Sequence, residues 1–217
     1  MTSAYTVRLF PLPNLVLFPG VMQPLYVFEL RYREMLEDAL AADGKLAIGL
    51  LRPGWQQQYD KSPPLHETVC VSEIVVSHKN EDGTSNLLIR GMRRARLLRE
   101  IATSRSYRAA EVEELPGAGV NGTNEAQELT MRLKRQLVQA KFAPRLEPLA
   151  LGTSPSLDML TDAVAYAVPW PLQMKQKLLA ETNPIVRAEA LIGWLSRPAI
   201  DSQAAERPTF PAPESAN

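Results

Sequence analysis

Cysteine and histidine are nearly absent from this chain. One cysteine, Cys70, and two histidines occur among 217 residues. A single cysteine excludes an intramolecular disulfide framework and suits a reducing compartment, so we expect a cytoplasmic protein. A structural zinc site takes four protein ligands, and these three residues cannot supply them without help from carboxylates. We therefore expect no disulfide and no bound metal.

An excess of charge is also missing, as are long apolar runs. Lysine plus arginine and aspartate plus glutamate each number 24, so the bulk charge indicates no nucleic-acid or membrane-surface partner. No stretch approaches the ~20 apolar residues needed to cross a bilayer. Pro11, Pro13 and Pro19 interrupt the apolar N-terminal region, which also lacks the basic start of a signal peptide. We expect no membrane partner.

The common motifs of enzymes are missing too. The chain has no G-x-x-x-x-G-K-[ST] phosphate loop, no G-x-S-x-G turn and no H-E-x-x-H helix. Cys70 lies between Val69 and Val71, where a thiol is more often a small core residue than a nucleophile. One hypothesis is an enzyme that uses Cys70 together with His66 or His78. We expect that no catalytic turnover would be measured for it. We assign no catalytic residue and no cofactor.

Proline and glycine are comparatively common, at 18 and 11 residues, and they divide residues 1–116 into short apolar segments. Such segments between breakers are typical of strands. Strands are predicted at Asn14–Phe18, Met22–Phe28 and Lys45–Leu51, on both sides of Asn80–Ser85, and at Ala95–Ile101 and Tyr107–Leu115. A stripe at helical spacing predicts one helix of about 14 residues: Phe28, Tyr32, Met35, Leu36, Ala39 and Leu40.

Residues 116–124, PGAGVNGTN, contain three glycines and a proline and form the clearest boundary in the chain. The ordered segments that follow show helical spacing. The last of these helices has the clearest start, with Asn183 as N-cap and Pro184 at its first position. From Pro198 onward the composition predicts a disordered tail. The predicted fold is α+β: a β domain with one helix over residues 1–116, a helical bundle over 117–197 and a tail over 198–217.

Charge is concentrated locally in Ile89–Arg108, which holds seven arginines and one acid. One interpretation is an anion- or RNA-binding surface, with Arg90 and Arg94 among the residues that contact the anion. The other is a solvent-exposed strand face that carries Arg94 and Arg96. We favour the solvent face, because Tyr107 is the one aromatic residue there that could stack on a base.

Three glutamates, Glu111, Glu113 and Glu114, lie near the end of the last predicted strand. They could act as an acid and a base in catalysis. We instead interpret them as a solvated sheet edge, because charges on an edge discourage pairing with another chain.

Two aromatic residues, Trp55 and Tyr59, lie in the proline-bracketed loop of residues 52–66. Exposed aromatic residues on a loop are plausible binding anchors. Alternatively, Trp55 folds back to cap the β domain. Both interpretations stay open at this point.

The segment Phe10–Leu40 resembles the start of the N-terminal domain of Lon proteases, and still more the stand-alone bacterial proteins that consist of that domain. The resemblance extends over residues 7–197. It rests on these matches: Phe10-Pro11-Leu12, Val16–Gly20, Pro24–Glu29, Arg31–Met35, and Asp82, Gly83, Gly91, Arg94 and Leu97. It implies a PUA-like β-barrel with one inserted helix, followed by a C-terminal helical bundle.

Nothing in the chain resembles the ATPase module or the Ser-Lys protease domain of Lon. The resemblance therefore implies a non-catalytic module that recognises polypeptide segments or a protein partner, in a groove between barrel and bundle. The candidate binding residues are Trp55, Tyr59, Arg90 and Arg94. The alternative is an RNA-binding PUA-like protein that uses the segment Arg90–Arg108.

Overall fold

A computed structural model describes residues 4–57, 62–120, 122–146 and 154–196. Tyr59 and the predicted tail lie outside these ranges. The β part contains β1 (Tyr5–Leu12), β2 (Met22–Val27), α1 (Leu30–Leu40), β3 (Lys45–Leu50), β4 (Thr68–Lys79), β5 (Ser85–Ile101) and β6 (Ala109–Glu114). The helical part contains α2 (Asn124–Gln139), a 3₁₀ turn (Ala143–Arg145), α3 (Leu157–Ala167), α4 (Leu172–Ala180) and α5 (Pro184–Leu195). The predicted α+β class is confirmed.

The six strands form one sheet that closes on itself. Their order is β2-β5-β4-β3-β1-β6, and β6 also pairs with β5. The ring β5-β4-β3-β1-β6 is therefore a five-stranded barrel, and β2 extends the sheet beside the first part of β5. The strands β1 and β3 run parallel, while the other pairs are antiparallel. The long β5, predicted as two strands, is continuous because it serves both the barrel and the extension.

The prediction that the three glutamates mark a sheet edge is wrong. Strand β6 lies between β1 and β5 and pairs with both. The glutamates instead accept charged hydrogen bonds from arginines across the ladder, at Arg99–Glu111, Arg96–Glu113 and Arg93–Glu114. Closure of the ring removes the edge that the charges were expected to protect.

Alternation along the strands divides the apolar side chains between two clusters. The barrel interior cluster consists of Val7, Leu9, Ala47, Leu51, Leu65, Val69, Val71, Ala95, Ala110 and Val112. The neighbouring residues Phe10 and Ile48 point the other way, into a larger cluster shared with α1 and the helical bundle. One continuous core thus joins the two parts of the chain, and the predicted division after residue 116 stays a prediction.

The segment Asn14–Phe18, predicted as a strand, is not one. Strand β1 ends at Leu12, and the following residues lie across β5, where Gly20 N–H donates to Gly91 O at 2.8 Å. Gly91 permits this approach, since a Cβ there would be 2.1 Å from Phe18 O. The apolar side chains of the segment fill the larger cluster from an irregular backbone.

Most helix boundaries follow the sequence signals. The N-cap of α2 is Thr123, whose side chain accepts from Ala126 N–H, and Asn183 caps α5 directly before Pro184. The first helix is shorter than expected, at 11 residues. Phe28 and Leu40, which belonged to its predicted stripe, are 47% and 51% exposed. Four residues of that stripe are buried as predicted.

Candidate functional site

Strands β2, β5 and β4 continue beyond the closed barrel as a three-stranded sheet, which we call the sheet platform. Its inner face buries Leu25, Val27, Leu87 and Ile89 in the larger cluster. Its outer face consists of three cross-strand rows set by the register. The rows are Met22–Arg90–Glu73, Pro24–Leu88–Val76 and Tyr26–Asn86–His78.

The outer face of the sheet platform carries an exposed apolar patch between polar residues. Met22, Val76 and Phe28 are 37%, 53% and 47% exposed. The ring of Phe28 stacks on that of Tyr26, with centroids 6.0 Å apart. An ion pair between Arg90 and Glu73 borders the patch. Contiguous exposed apolar surface with a polar rim is typical of protein interaction sites.

Strand β2 is also the end strand of the sheet. Among the described residues, no strand pairs with its outer edge. Backbone N–H and C=O groups on such an edge can pair with an added extended chain, apart from Pro24, which has no N–H. The sheet platform therefore combines an apolar face with a strand edge, the two elements that strand addition requires.

Every arginine of the segment Arg90–Arg108 lies within ion-pair distance of a carboxylate. The pairs are Arg90–Glu73, Arg93–Glu114, Arg94–Asp162, Arg96–Glu113, Arg99–Glu111, Arg105–Glu34 and Arg108–Glu100. Each guanidinium therefore has an anionic partner, and the local excess of positive charge in the sequence is compensated in the structure.

The structure separates the candidate binding residues. Arg90 lies on the sheet platform, half-exposed beside Glu73. Trp55 is half-buried and packs against the barrel interior cluster, which favours the capping interpretation over an exposed anchor. Tyr59 lies outside the described residues. Arg94 is 5% exposed, so the interpretation of its side as a solvent face is wrong for this residue.

Arg94 points from β5 into the junction between barrel and bundle. Its guanidinium binds both oxygens of Asp162 on α3, one at 2.9 Å, and its Nε donates to Leu179 O at 2.9 Å. Burial alone would lower the pKa of Arg94, but the adjacent Asp162 carboxylate outweighs it and the pKa is raised. Gln176 adds a hydrogen bond from Nε2 to Thr68 O at 2.8 Å. These contacts fill the part of the junction that surrounds Arg94, and the expected groove between barrel and bundle stays a prediction.

Sequence reasoning missed the apolar outer face of the sheet platform. The signal was present in MQPLYV, where apolar residues occupy both alternating faces of one strand. Alternation alone assigns Leu25 and Val27 to one face and Met22 and Tyr26 to the other. Which face is covered depends on where the bundle packs, and this is a property of the tertiary structure.

Cys70 is a buried core residue. Burial raises the pKa of its thiol to about 12, far from the range of reactive cysteines. Within the described ranges, no group of three or more histidine, cysteine or acidic side chains is arranged to hold a metal ion. None of the described helices combines the length and apolar composition needed to span a membrane.

Comparison with known proteins gives concordant results. The sequence profile of the ATP-dependent protease La (LON) substrate-binding domain matches residues 6–197. The N-terminal domain of Lon protease from the Mycobacterium avium complex superposes with a TM-score of 0.70 at 21% identity, covering 88% of this chain and 98% of that domain. A Lon N-terminal domain protein from Xanthomonas campestris superposes with a TM-score of 0.65 at 25% identity and the same coverage.

Full-length Lon proteases match through one region. The Buchnera aphidicola Lon protease is 25% identical over 194 residues, which are 86% of this chain and 24% of that protein. Lon protease 2 of Syntrophobacter fumaroxidans is 31% identical over 110 residues, which are 50% of this chain and 14% of that protein. The chain thus spans a quarter or less of these two relatives, and the profile that it matches is that of their substrate-binding domain. This chain belongs to the family of the Lon substrate-binding domain.

Proposed function

We propose that this protein is a non-catalytic binding module whose sheet platform holds extended, apolar segments of polypeptides. The observation that carries the proposal is the exposed apolar patch of β2, β5 and β4 beside the edge of β2 with which no described strand pairs. Membership of a substrate-binding domain family supports a polypeptide as the occupant. An extended chain added to β2 would form backbone hydrogen bonds, and its alternate side chains would contact the apolar face.

The composition of the platform fits an unfolded polypeptide better than a nucleic acid. Phe28, Val76 and Met22 offer apolar contacts, while the charges at the border, Arg90 and Glu73, compensate each other. An interface of this kind gives affinity through apolar burial and little dependence on salt. We do not extend the proposal to RNA, because the arginines that would contact phosphates are paired with carboxylates.

The test measures binding of a fluorescently labelled, reduced and alkylated unfolded protein by anisotropy. The double variant F28S/V76S removes two exposed apolar side chains of the platform and is expected to weaken binding about tenfold, since hot-spot truncations cost about 1–2 kcal/mol. The matched control is M131S, which removes a side chain that is 63% exposed on α2. Equal losses in both variants, or none in F28S/V76S, would refute the platform as the site.

A labelled single-stranded RNA in the same assay tests the alternative. Tight RNA binding that falls steeply with salt would indicate counterion release by an arginine surface. We expect undetectable binding at physiological salt, and no change between wild type and R96Q.

A further inference from the structure

At one end of the closed barrel, the strands of the ring surround a cavity of about 220 Å³. We call this cavity the barrel mouth. Its lining residues come from all five strands of the ring: Tyr5, Lys45, Val71, Met92, Arg93 and Glu114. It shares no residue with the outer face of the sheet platform but adjoins it, since Lys45 lies opposite Glu73 in the register of β3 and β4.

The barrel mouth is the place where the interior of the barrel turns from apolar to polar. Four lining residues lie two positions from a member of the barrel interior cluster on the same strand, and so share its face. The pairs are Tyr5 with Val7, Lys45 with Ala47, Arg93 with Ala95, and Glu114 with Val112. Val71 belongs to the cluster itself and is 3% exposed. The cavity therefore has an apolar floor under a polar rim.

A β-bulge shapes one wall of the barrel mouth. Val71 pairs with Arg93 and Ser72 with Gly91, so that Met92 is an extra residue in β5. Bulges redirect side chains and are frequent at barrel rims and beside binding sites. Here the bulge places the flexible thioether side chain of Met92 on the cavity, where it can adapt to an apolar ligand.

The charged residues of the rim differ in whether a described residue forms an ion pair with them. Arg93 and Glu114 neutralise each other through an ion pair of 2.7 Å. Lys45 has no carboxylate within ion-pair distance of its Nζ among the described residues, because its cross-strand neighbour Glu73 pairs with Arg90 instead. This contrasts with the fully paired arginines of β5. A free ammonium above an apolar floor is complementary to an anion with an apolar body.

We propose that the barrel mouth binds a carboxylate carried on a compact apolar body, with Lys45 as the cationic partner and the floor around Val71 contacting the body. The cavity of about 220 Å³ is smaller than the roughly 300–1,000 Å³ of typical small-molecule pockets, which favours a body of about the size of one amino-acid residue. Two sources carry this chemistry: the C-terminal residue of a polypeptide and a free small carboxylic acid.

The test titrates the full chain with N-acetyl-leucine and N-acetyl-leucinamide, followed by NMR shifts of backbone amides. We expect the acid to bind at least about fivefold more tightly than the amide, because the amide loses the charge-assisted contact. K45Q should reduce the affinity for the acid to that for the amide. The matched control K177Q removes another exposed lysine, on α4, and should change nothing. Equal binding of acid and amide, or unchanged binding in K45Q, would overturn the proposal.

Further arms test the apolar body and identify the source. N-acetylglycine should bind more weakly than N-acetyl-leucine, and equal binding would refute the role of the apolar floor. A pentapeptide that ends in leucine with a free carboxylate should bind more tightly than N-acetyl-leucine if the natural ligand is a chain terminus, and equally if it is a small acid. F28S/V76S should leave all these affinities unchanged, so that failure here is distinguishable from failure of the platform proposal.

Discussion

Arg94 on strand β5 and Asp162 on helix α3 form a two-pronged ion pair at the junction of barrel and bundle. Both side chains are almost fully buried, at 6% and 2% exposure. Arg187 of α5 approaches the same carboxylate, with its Nε 3.4 Å from Asp162 Oδ1. Charges buried at this depth are tolerated only when they are paired, so the three residues tie the orientation of the bundle to the barrel.

Arg94→Met should destabilise the protein by about 3 kcal/mol, because breaking a buried pair leaves a poorly compensated charge. The control is Arg96→Met, two residues along the same strand, which removes an exposed pair with Glu113 and should cost about 0–1 kcal/mol. Urea unfolding followed by circular dichroism measures both. Similar free energies of unfolding for the two variants would contradict the structural role assigned to Arg94.

Lys175 is expected to make the free energy of unfolding depend on pH. Burial lowers the pKa of its ammonium from 10.5 to about 8, and its Nζ donates to Tyr166 O. Below pH 8 the folded state must hold a buried charge that the unfolded chain solvates. Between pH 8 and 10.5 the unfolded state binds more protons, so this group makes the free energy of unfolding rise with pH.

Lys175→Met should therefore be more stable than the wild type at pH 7, by up to about 3 kcal/mol from the 1.36 kcal/mol per pKa unit. That advantage should shrink as the pH rises from 8 to 10.5. Denaturant titrations at several pH values measure the difference in the free energy of unfolding between the two proteins. Titratable groups that both proteins share contribute equally and cancel in this difference. Lys177→Met, on the exposed side of the same helix, is the control. A constant difference across this pH range would contradict a lowered pKa.

Gly91→Ala should unfold or severely destabilise the protein. The added Cβ would lie 2.1 Å from Phe18 O, a backbone atom that cannot move aside without displacing the segment it belongs to. Overpacking of this kind costs about 1–3 kcal/mol, and more when backbone must shift. Gly193→Ala in α5 meets no atom within 4 Å and should stabilise by about 0.5–1 kcal/mol. Thermal unfolding distinguishes the two.

The thiol of Cys70 should not react with a disulfide reagent in the folded protein at pH 8. Its pKa of about 12 leaves almost no thiolate, and the side chain is inaccessible. In urea it should react at the rate of an ordinary thiol. Ser77→Cys, on the exposed part of β4, is the positive control. Rapid reaction of the native wild-type protein would revive a chemical role for Cys70.

Local signals in the sequence predicted the structure correctly where a side chain caps a backbone group only a few residues away. Asn183 followed by Pro184 identified the start of α5, since cap and first-turn geometry depend on adjacent residues alone. Patterns that needed a distant partner were misread. Asn14–Phe18 is apolar enough for a strand, but its position is set by Gly91 on β5.

The candidate site shows the same division. Composition excluded a disulfide framework, and the family signature in Phe10–Leu40 indicated a substrate-binding module. Arg90 was selected from the sequence and lies on the sheet platform, whereas Arg94 belongs to the buried junction. Alternation alone would place these two arginines on one face, but the extra residue Met92 in the bulge of β5 puts them on opposite faces. There Arg94 meets Asp162, 68 residues further along the chain.

The sequence by itself determined the class of this protein: an α+β chain of the Lon substrate-binding domain family, with its helix caps and most of its strand positions. These follow from periodicity and from short-range steric rules. The family resemblance already implied a barrel, but only the tertiary structure decided which strands close it, that β6 is no edge, and that the outer face of β2 and the barrel mouth stay open. Each of these depends on pairing or packing between distant segments, and the free energy of such contacts is not encoded in any local pattern.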